Sequence, residues 1–262
     1  MSEAAARPPY TDPAWLQALI QIVRDAGDLI MSVYATDFAV RGKADASPVT
    51  EADEKAEALI VAALRRLAPQ VPIVAEEAIA AGAQVQVGDW FWLVDPLDGT
   101  KEFISRNGEF TVNVALVHGG VPVLGVVLAP ALDRLFAGVR GQGAFVEHAG
   151  QRRNIACRAV PADGLTVVAS RSHGDAAALD AFLAGRTVAA LANAGSSLKL
   201  CMVAAGEADL YPRLGRTMEW DIAAGHAVLL AAGGSVNDLS GAPLRYGKPG
   251  FDNPHFAAAG LT

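Results

Sequence analysis

The sequence predicts an α/β protein built from two closely fused halves. In the first half, two amphipathic helical segments precede a run of strand-like segments, and in the second half helical and strand-like segments alternate, the pattern of helices packed on sheets. Because 52% of the residues are hydrophobic and only 19% are charged, the chain has enough apolar surface for a large core. The pattern changes near Pro161, and we place the boundary between residues 14–155 and residues 156–262.

Two helices open the first half. Apolar residues at helical spacing predict the first helix over residues 14–34, and a second apolar face follows Thr50. Asp53 stands three residues after Thr50, the spacing of a capping box at a helix start. The connecting residues, 41–50, are predicted to be a polar loop.

Strands dominate the rest of the first half, and an acid follows each of the first two. Glu76 and Glu77 follow the predicted strand 71–75, and Asp95 directly follows the predicted strand 90–94. The remaining strands are predicted at residues 110–117 and 121–128, joined by a Gly-Gly hairpin, and as two short strands within 133–147.

Helices and strands alternate through the second half. Strands are predicted at residues 165–170, 187–192 and 208–214. Helices are predicted at residues 175–185, 196–206 and 220–234, the last closed by a glycine pair.

Composition excludes several classes of protein. The net charge is −7, and no dense Lys/Arg cluster exists, so nucleic acid is not an expected partner. The two cysteines, Cys157 and Cys201, are too few for a disulfide framework and lack a metal-site spacing. Neither a signal-peptide core nor a run of 18 apolar residues occurs, so we expect a cytoplasmic protein without a membrane-spanning segment.

The segment Asp95-Pro96-Leu97-Asp98-Gly99-Thr100 carries the strongest chemical signal. Pro96 fixes one backbone angle and Gly99 permits unusual ones, so two carboxylates occupy a rigid turn. Carboxylate oxygens are the ligands that magnesium prefers. A helix starting at Gly99 or Thr100 would also offer free N–H groups to a phosphate.

Each acidic segment also has a purely structural interpretation. The aspartates could form an ordinary turn, the Glu76–Glu77 pair a solvated loop, and Asp221 an N-cap for the helix that follows it. The combination favours a metal site, because three separate segments place an acid at the end or start of an apolar element.

Four segments resemble the signatures of the inositol monophosphatase superfamily: residues 47–53, 74–77, 92–103 and 219–234. The sequence DGTKEF, followed by NGEFTVN, is similar to the branch of CysQ-type 3′(2′),5′-bisphosphate nucleotidases. The resemblance implies a layered α/β/α/β/α sandwich with the active site between the two halves. It also implies sensitivity to lithium.

The resemblance implies two or three Mg²⁺ ions per site. The implied metal ligands are Glu76, Asp95, the Leu97 carbonyl, Asp98 and Asp221. The implied catalytic residues are Asp53 and Thr100, which would orient the attacking water, together with Glu76.

The implied reaction is removal of the 3′-phosphate from adenosine 3′,5′-bisphosphate, or from its sulfated analogue, by metal-activated water. The implied substrate-binding residues are Asp98, Gly99, Thr100, His173, Ser196, Lys199, Arg213 and Asp221. His173, Lys199 and Arg213, with the hydroxyl of Ser196, would bind the phosphate that is not cut. A homodimer and a peripheral membrane association stay open.

Two other functions compete with this one. A phosphatase for inositol phosphates or fructose 1,6-bisphosphate would carry the same metal motifs, so only the substrate-binding segments distinguish it. An inactive nucleotide-binding sensor is the alternative from another class, and the presence of every catalytic acid argues against it.

Overall fold

The computed structural model describes residues 9–42, 48–170 and 176–261. Its helices are α1 (Pro13–Tyr34), α2 (Glu51–Leu67), α3 (Glu76–Ala80), α4 (Thr100–Ile104), α5 (Ala176–Leu183), α6 (Leu198–Ala204) and α7 (Glu219–Ala231). The strands of the first half are β1 (Val40–Gly42), β2 (Pro48–Thr50), β3 (Ile73–Ala75), β4 (Trp90–Asp98), β5 (Thr111–His118), β6 (Val121–Ala129), β7 (Arg134–Val139), β8 (Gly143–His148) and β9 (Gln151–Ile155). Those of the second half are β10 (Leu165–Ser170), β11 (Val188–Ala194), β12 (Leu210–Arg213), β13 (Ser235–Asp238) and β14 (Phe256–Ala259).

The larger sheet has seven strands in the order β3-β4-β5-β6-β7-β8-β9. Strands β3 and β4 are parallel, and every later neighbour is antiparallel. Helices α1 and α2 cover one face, where their apolar stripes meet buried residues of β4 to β7. Helix α7 covers the other face.

The smaller sheet has five strands in the order β11-β10-β12-β14-β13. Helices α6 and α7 lie between the two sheets and share one apolar core with both. Helix α5 has no buried residue among those described, as expected of an outer layer. The layers therefore run α/β/α/β/α, which confirms the predicted fold class.

Helix α7 lies unusually close to the larger sheet because two strand positions there are glycines. A Cβ atom at Gly125 would lie 2.3 Å from the carbonyl oxygen of Ala224, and one at Gly138 would lie 2.6 Å from Cα of Val228. Any side chain at either position would push the helix away from the sheet. The middle of α7 is thereby held close to β6 and β7.

The structure corrects several local predictions. The polar loop predicted over residues 41–50 contains the paired strands β1 and β2. Strand β4 does not end before Asp95 but continues, with an irregularity in register, to Asp98. Glu76 begins a short helix, α3, because Glu57 accepts hydrogen bonds from its first turn.

The boundary near residue 155 stays a prediction. The larger sheet ends at Ile155 and the smaller one begins at Leu165, yet α7 of the second half packs on the first sheet.

Cys157 and Cys201 are buried free thiols. Among the helices of the described residues, none has the length and apolar character needed to cross a membrane.

Candidate active site

An acidic cluster forms where β4, α3 and α7 meet. Glu76, Asp95 and Asp221 each place a carboxylate oxygen within 4.8 Å of the others. Asp95 is only 1% exposed. The expected convergence of three separate acidic segments is therefore present in the fold.

Asp221 reaches the cluster from the first turn of α7. It is the third residue of the helix, and its Oδ2 accepts a hydrogen bond of 2.8 Å from the backbone N–H of Met218. Asp221 is thus not the N-cap residue, because Met218 occupies that position. Glu219 anchors the same turn, since its fully buried carboxylate pairs with Lys248 at 2.6 Å.

The turn at residues 95–100 owes its shape to local hydrogen bonds and one glycine. The backbone N–H of Leu97 donates to Oδ1 of Asp95 at 3.0 Å. Gly99 has φ of 92°, and a Cβ atom there would lie 3.3 Å from the carbonyl oxygen of Glu109. Helix α4 then begins at Thr100, as the sequence predicted.

Asp53 and Thr100 form a second pair of predicted residues that the fold brings together. Oγ1 of Thr100 donates to Oδ1 of Asp53 at 3.1 Å. The other carboxylate oxygen of Asp53 accepts from the backbone N–H and the hydroxyl of Thr50, at 2.8 and 2.7 Å. The capping box is thereby confirmed, and it fixes a buried carboxylate against the Thr100 hydroxyl.

Glu57 supports the cluster from behind and was missed by the sequence analysis. Its carboxylate accepts hydrogen bonds from the backbone N–H groups of Glu77 and Ala78, at 2.7 and 2.8 Å. These bonds satisfy free donors at the start of α3 and so orient Glu76. Its position one helical turn after Asp53 was the available signal.

Asp98 is held by two residues that the sequence analysis did not single out. The backbone N–H of Ser197 donates to its Oδ2 at 2.8 Å, and the side-chain amide of Asn113 donates to the same atom at 3.3 Å. Both residues also donate to the carbonyl oxygen of Asp221. Asn113 lies in the NGEFTVN segment, so the motif contained this signal.

Burial and mutual repulsion perturb the acids of the cluster. Burial, followed by the charge of Glu76, raises the pKa of Asp95 well above its ordinary value. Burial and the charge of Asp98 raise the pKa of Asp221 in the same way. Burial raises the pKa of Asp98 to about 6, against the opposing charge of Lys199.

The donor set fits magnesium on chemical grounds. Packing several buried carboxylates together is costly unless protons or a cation neutralise them. The donors are all oxygen atoms, which suits a hard cation such as Mg²⁺ better than a softer metal.

The acids line a cavity of about 330 Å³, and the basic residues Lys199 and Arg213 line the same cavity. The predicted site residues along its wall are Glu76, Asp95, Leu97, Asp98, Gly99, Thr100, Ser196, Lys199, Arg213 and Asp221. Asp53 lies just behind this wall, bonded to Thr100. His173 lies outside the described residues.

Lys199 is buried, with 4% of its surface exposed, and its ammonium donates to the carbonyl oxygens of Ala194 and Ser196, at 3.2 and 2.7 Å. Burial lowers its pKa to about 8. Arg213 donates from Nη2 to the carbonyl of Arg216 at 2.9 Å, while its buried Nε has no hydrogen-bond partner within the described part of the chain. Both cations can thus bind an anion in the cavity. Lys199 also supports the loop that precedes α6.

Comparison with known proteins agrees with this geometry. Residues 13–260 match the model of the inositol monophosphatase family. The chain belongs to that family. Within the family, it is 48% identical to 3′(2′),5′-bisphosphate nucleotidase CysQ of Escherichia coli K12 over 92% of this chain and 98% of that protein. CysQ of Salmonella typhimurium is 47% identical over the same shares.

Solved structures of family members share the fold. CysQ from Bacteroides thetaiotaomicron aligns with a TM-score of 0.78 at 40% identity and covers 94% of this chain and 96% of its own. An inositol monophosphatase from Anabaena aligns with a TM-score of 0.74 at 27% identity and covers 94% of this chain and 90% of its own.

Proposed function

We propose that this protein is a Mg²⁺-dependent phosphomonoesterase that removes the 3′-phosphate of adenosine 3′,5′-bisphosphate, or of its sulfated analogue, and yields AMP from the former. One observation carries the proposal: a single cavity is lined both by the acidic cluster that contains Asp95 and by the cations Lys199 and Arg213. A substrate with one phosphate to cut and another to hold matches such a cavity. The 48% identity to nucleotidases over most of the chain supports the same substrate.

The acidic residues that line the cavity would hold the metal. We assign Glu76, Asp95 and the Leu97 carbonyl to one Mg²⁺ ion, and Asp95, Asp98 and Asp221 to a second. When bound, Mg²⁺ supplies positive charge that stabilises the attacking and leaving oxygens of the phosphate. Burial, followed by repulsion from neighbouring acids, raises the pKa of Asp95 and Asp221, and this supports the assignment because a bound cation would relieve both effects.

Asp53 and Thr100 would orient the attacking water. The Thr100 hydroxyl donates its hydrogen to Asp53, so its oxygen lone pairs are left to accept a hydrogen bond from water. The Asp53 carboxylate is fixed by Thr50 and can receive a proton through the threonine hydroxyl. Gly99 and Thr100, at the start of α4, line the same cavity, and backbone N–H groups of this turn would donate hydrogen bonds to phosphate oxygens.

The basic residues that line the cavity would recognise the phosphate that is not cut. Lys199 and Arg213 would form charge-assisted hydrogen bonds with it, and Ser196 would add a hydroxyl. His173 is kept as a further candidate on the resemblance alone. The small-molecule substrate does not require a protein partner.

A comparison of kcat/KM on three substrates tests the proposed function. We expect adenosine 3′,5′-bisphosphate to exceed inositol 1-phosphate and fructose 1,6-bisphosphate by at least about a hundredfold, since one charge-assisted contact alone supplies about one to two decades. A preference for inositol 1-phosphate or fructose 1,6-bisphosphate would overturn the nucleotidase assignment. It would leave the membership of the inositol monophosphatase family unchanged. Absence of Mg²⁺-dependent phosphate release from all three would favour a nucleotide-binding sensor.

A further inference from the structure

Arg216 is a third cationic side chain that lines the cavity. It lines the same cavity as Lys199 and Arg213, and its side chain is 69% exposed. Its Nε donates to Oδ1 of Asp252 at 2.8 Å. Thus a guanidinium group lies at the cavity rim, held by one carboxylate.

The ion pair between Arg216 and Asp252 is easily broken, so another anion can replace Asp252 as the partner of Arg216. The two side chains are 69% and 53% exposed, and an ion pair this open to solvent contributes little to stability and is screened by salt. The pair uses only Nε of the five guanidinium N–H donors. An incoming phosphate, which carries more charge than a carboxylate and matches the planar fork of the guanidinium, can compete for it.

The backbone of Arg216, in contrast, is fixed. Its carbonyl oxygen accepts the hydrogen bond from Arg213. The carbonyl of the next residue, Thr217, accepts from the backbone N–H of Asn253 at 2.9 Å. These two hydrogen bonds hold the backbone of Arg216 beside Arg213 and do not involve the Arg216 side chain.

We propose that Arg216 is a specificity-determining residue that binds the uncut phosphate of the substrate together with Arg213. Asp252 holds its guanidinium when no anion is bound. This role rests on the proposed function, since it requires a substrate with two phosphates. It is separate from metal binding, because Arg216 is not one of the assigned metal ligands.

The variants Arg216→Ala and Asp252→Asn test the proposal as a matched pair, because each breaks the same ion pair. The measurement is the ratio of kcat/KM for adenosine 3′,5′-bisphosphate to that for adenosine 3′-monophosphate, which lacks the uncut phosphate. We expect Arg216→Ala to lower this ratio about tenfold, mainly through KM for the bisphosphate. Asp252→Asn should keep the ratio or raise it, because it releases the guanidinium.

Binding of adenosine 5′-monophosphate provides a second readout that needs no turnover. Calorimetry should show about tenfold weaker binding to Arg216→Ala than to the wild type and to Asp252→Asn. An unchanged ratio and affinity in Arg216→Ala would overturn the proposal, as would equal losses in both variants, which would mean that the ion pair matters only structurally. Failure of the wild type to prefer the bisphosphate nucleotide would instead overturn the proposed function, so the two failures are distinguishable.

Discussion

The backbone N–H of Ser197 donates a hydrogen bond of 2.8 Å to Oδ2 of Asp98. This bond joins the loop that precedes α6 to Asp98, one of the proposed metal ligands. Ser197 also donates from Oγ to the carbonyl oxygen of Asp221. The loop that precedes α6 and two proposed metal ligands, Asp98 and Asp221, therefore share one hydrogen-bond network. Asn113 takes part in it.

This network predicts that Asn113→Ala, which removes the side-chain bonds to Asp98 and to the Asp221 carbonyl, weakens Mg²⁺ binding without unfolding the protein. Ser197→Ala should weaken it as well, although it removes only the Oγ bond to the Asp221 carbonyl and keeps the backbone bond to Asp98. Groups that orient metal ligands typically change affinity tenfold or more, so we expect about a tenfold increase in Kd by calorimetry. Ser32→Ala is the matched control, because its hydroxyl also donates to a backbone carbonyl but lies on α1, away from the site. Unchanged Mg²⁺ affinity in both variants would show that the network does not orient the ligands.

Asp95→Asn should abolish most activity, because Asp95 is assigned to both metal ions. We expect kcat/KM to fall by at least about three orders of magnitude, on the order of 4 kcal/mol of barrier, with the circular dichroism spectrum unchanged. Asp28→Asn changes an exposed aspartate and should keep the wild-type rate. Near-normal turnover by folded Asp95→Asn protein would contradict the two-metal assignment.

Asp98 predicts a pH-dependent stability of the metal-free protein. Its pKa is raised from 3.8 to about 6 by burial, so the folded state binds a proton more tightly than the unfolded state does. Its stabilising contribution is present below about pH 4 and is lost as the pH rises through about 6. Hence, with metal removed by chelation, Asp98→Asn should exceed the wild type in Tm at pH 8 by more than at pH 4.

The wild type and Asp98→Asn should be compared directly, because other carboxylates, such as Asp209, shift in the opposite direction. A difference in Tm that shrinks as the pH rises would contradict the assignment of a raised pKa to Asp98. Saturating Mg²⁺ should remove the destabilisation at pH 8, since the cation then neutralises the carboxylates.

Lithium should inhibit the enzyme more strongly than sodium at equal concentration. We expect lithium to compete at the site assigned to Asp95, Asp98 and Asp221, because its small size resembles that of Mg²⁺, while its single charge compensates the carboxylates less well. The measurement is phosphate release in lithium chloride and in sodium chloride at matched ionic strength. Equal rates in the two salts up to high concentration would count against the prediction.

Lys199→Ala and Arg213→Ala should each reduce the preference for the bisphosphate nucleotide over inositol 1-phosphate. We expect a loss of at least about tenfold in the ratio of kcat/KM values, because each variant removes a charge-assisted contact. Lys199→Ala should also weaken the loop before α6, whose carbonyls it binds, and so lower Tm. Lys55→Ala, which removes an exposed lysine paired with Glu51, is the control and should keep the ratio.

The local sequence alone determined much of this protein. Apolar segments predicted the long helices and most strands, because each of these elements must bury one face. They did not predict β1, β2, β9, β13 and β14, and the layered arrangement was implied by the family resemblance. The spacing of Thr50 and Asp53 gave the capping box, and the Asp95–Thr100 segment gave the acidic turn followed by a helix start. These features depend on neighbours within a few residues, so a sequence pattern suffices to predict them.

Only the tertiary structure decided how the site is supported. The bonds from Ser197 and Asn113 to Asp98, and those from the start of α3 to Glu57, join residues that are distant in sequence. The pair of Arg216 with Asp252 likewise depends on how two loops lie at the cavity rim. Such contacts arise from the packing of whole elements, including the close approach of α7 at Gly125, and no local pattern encodes that packing.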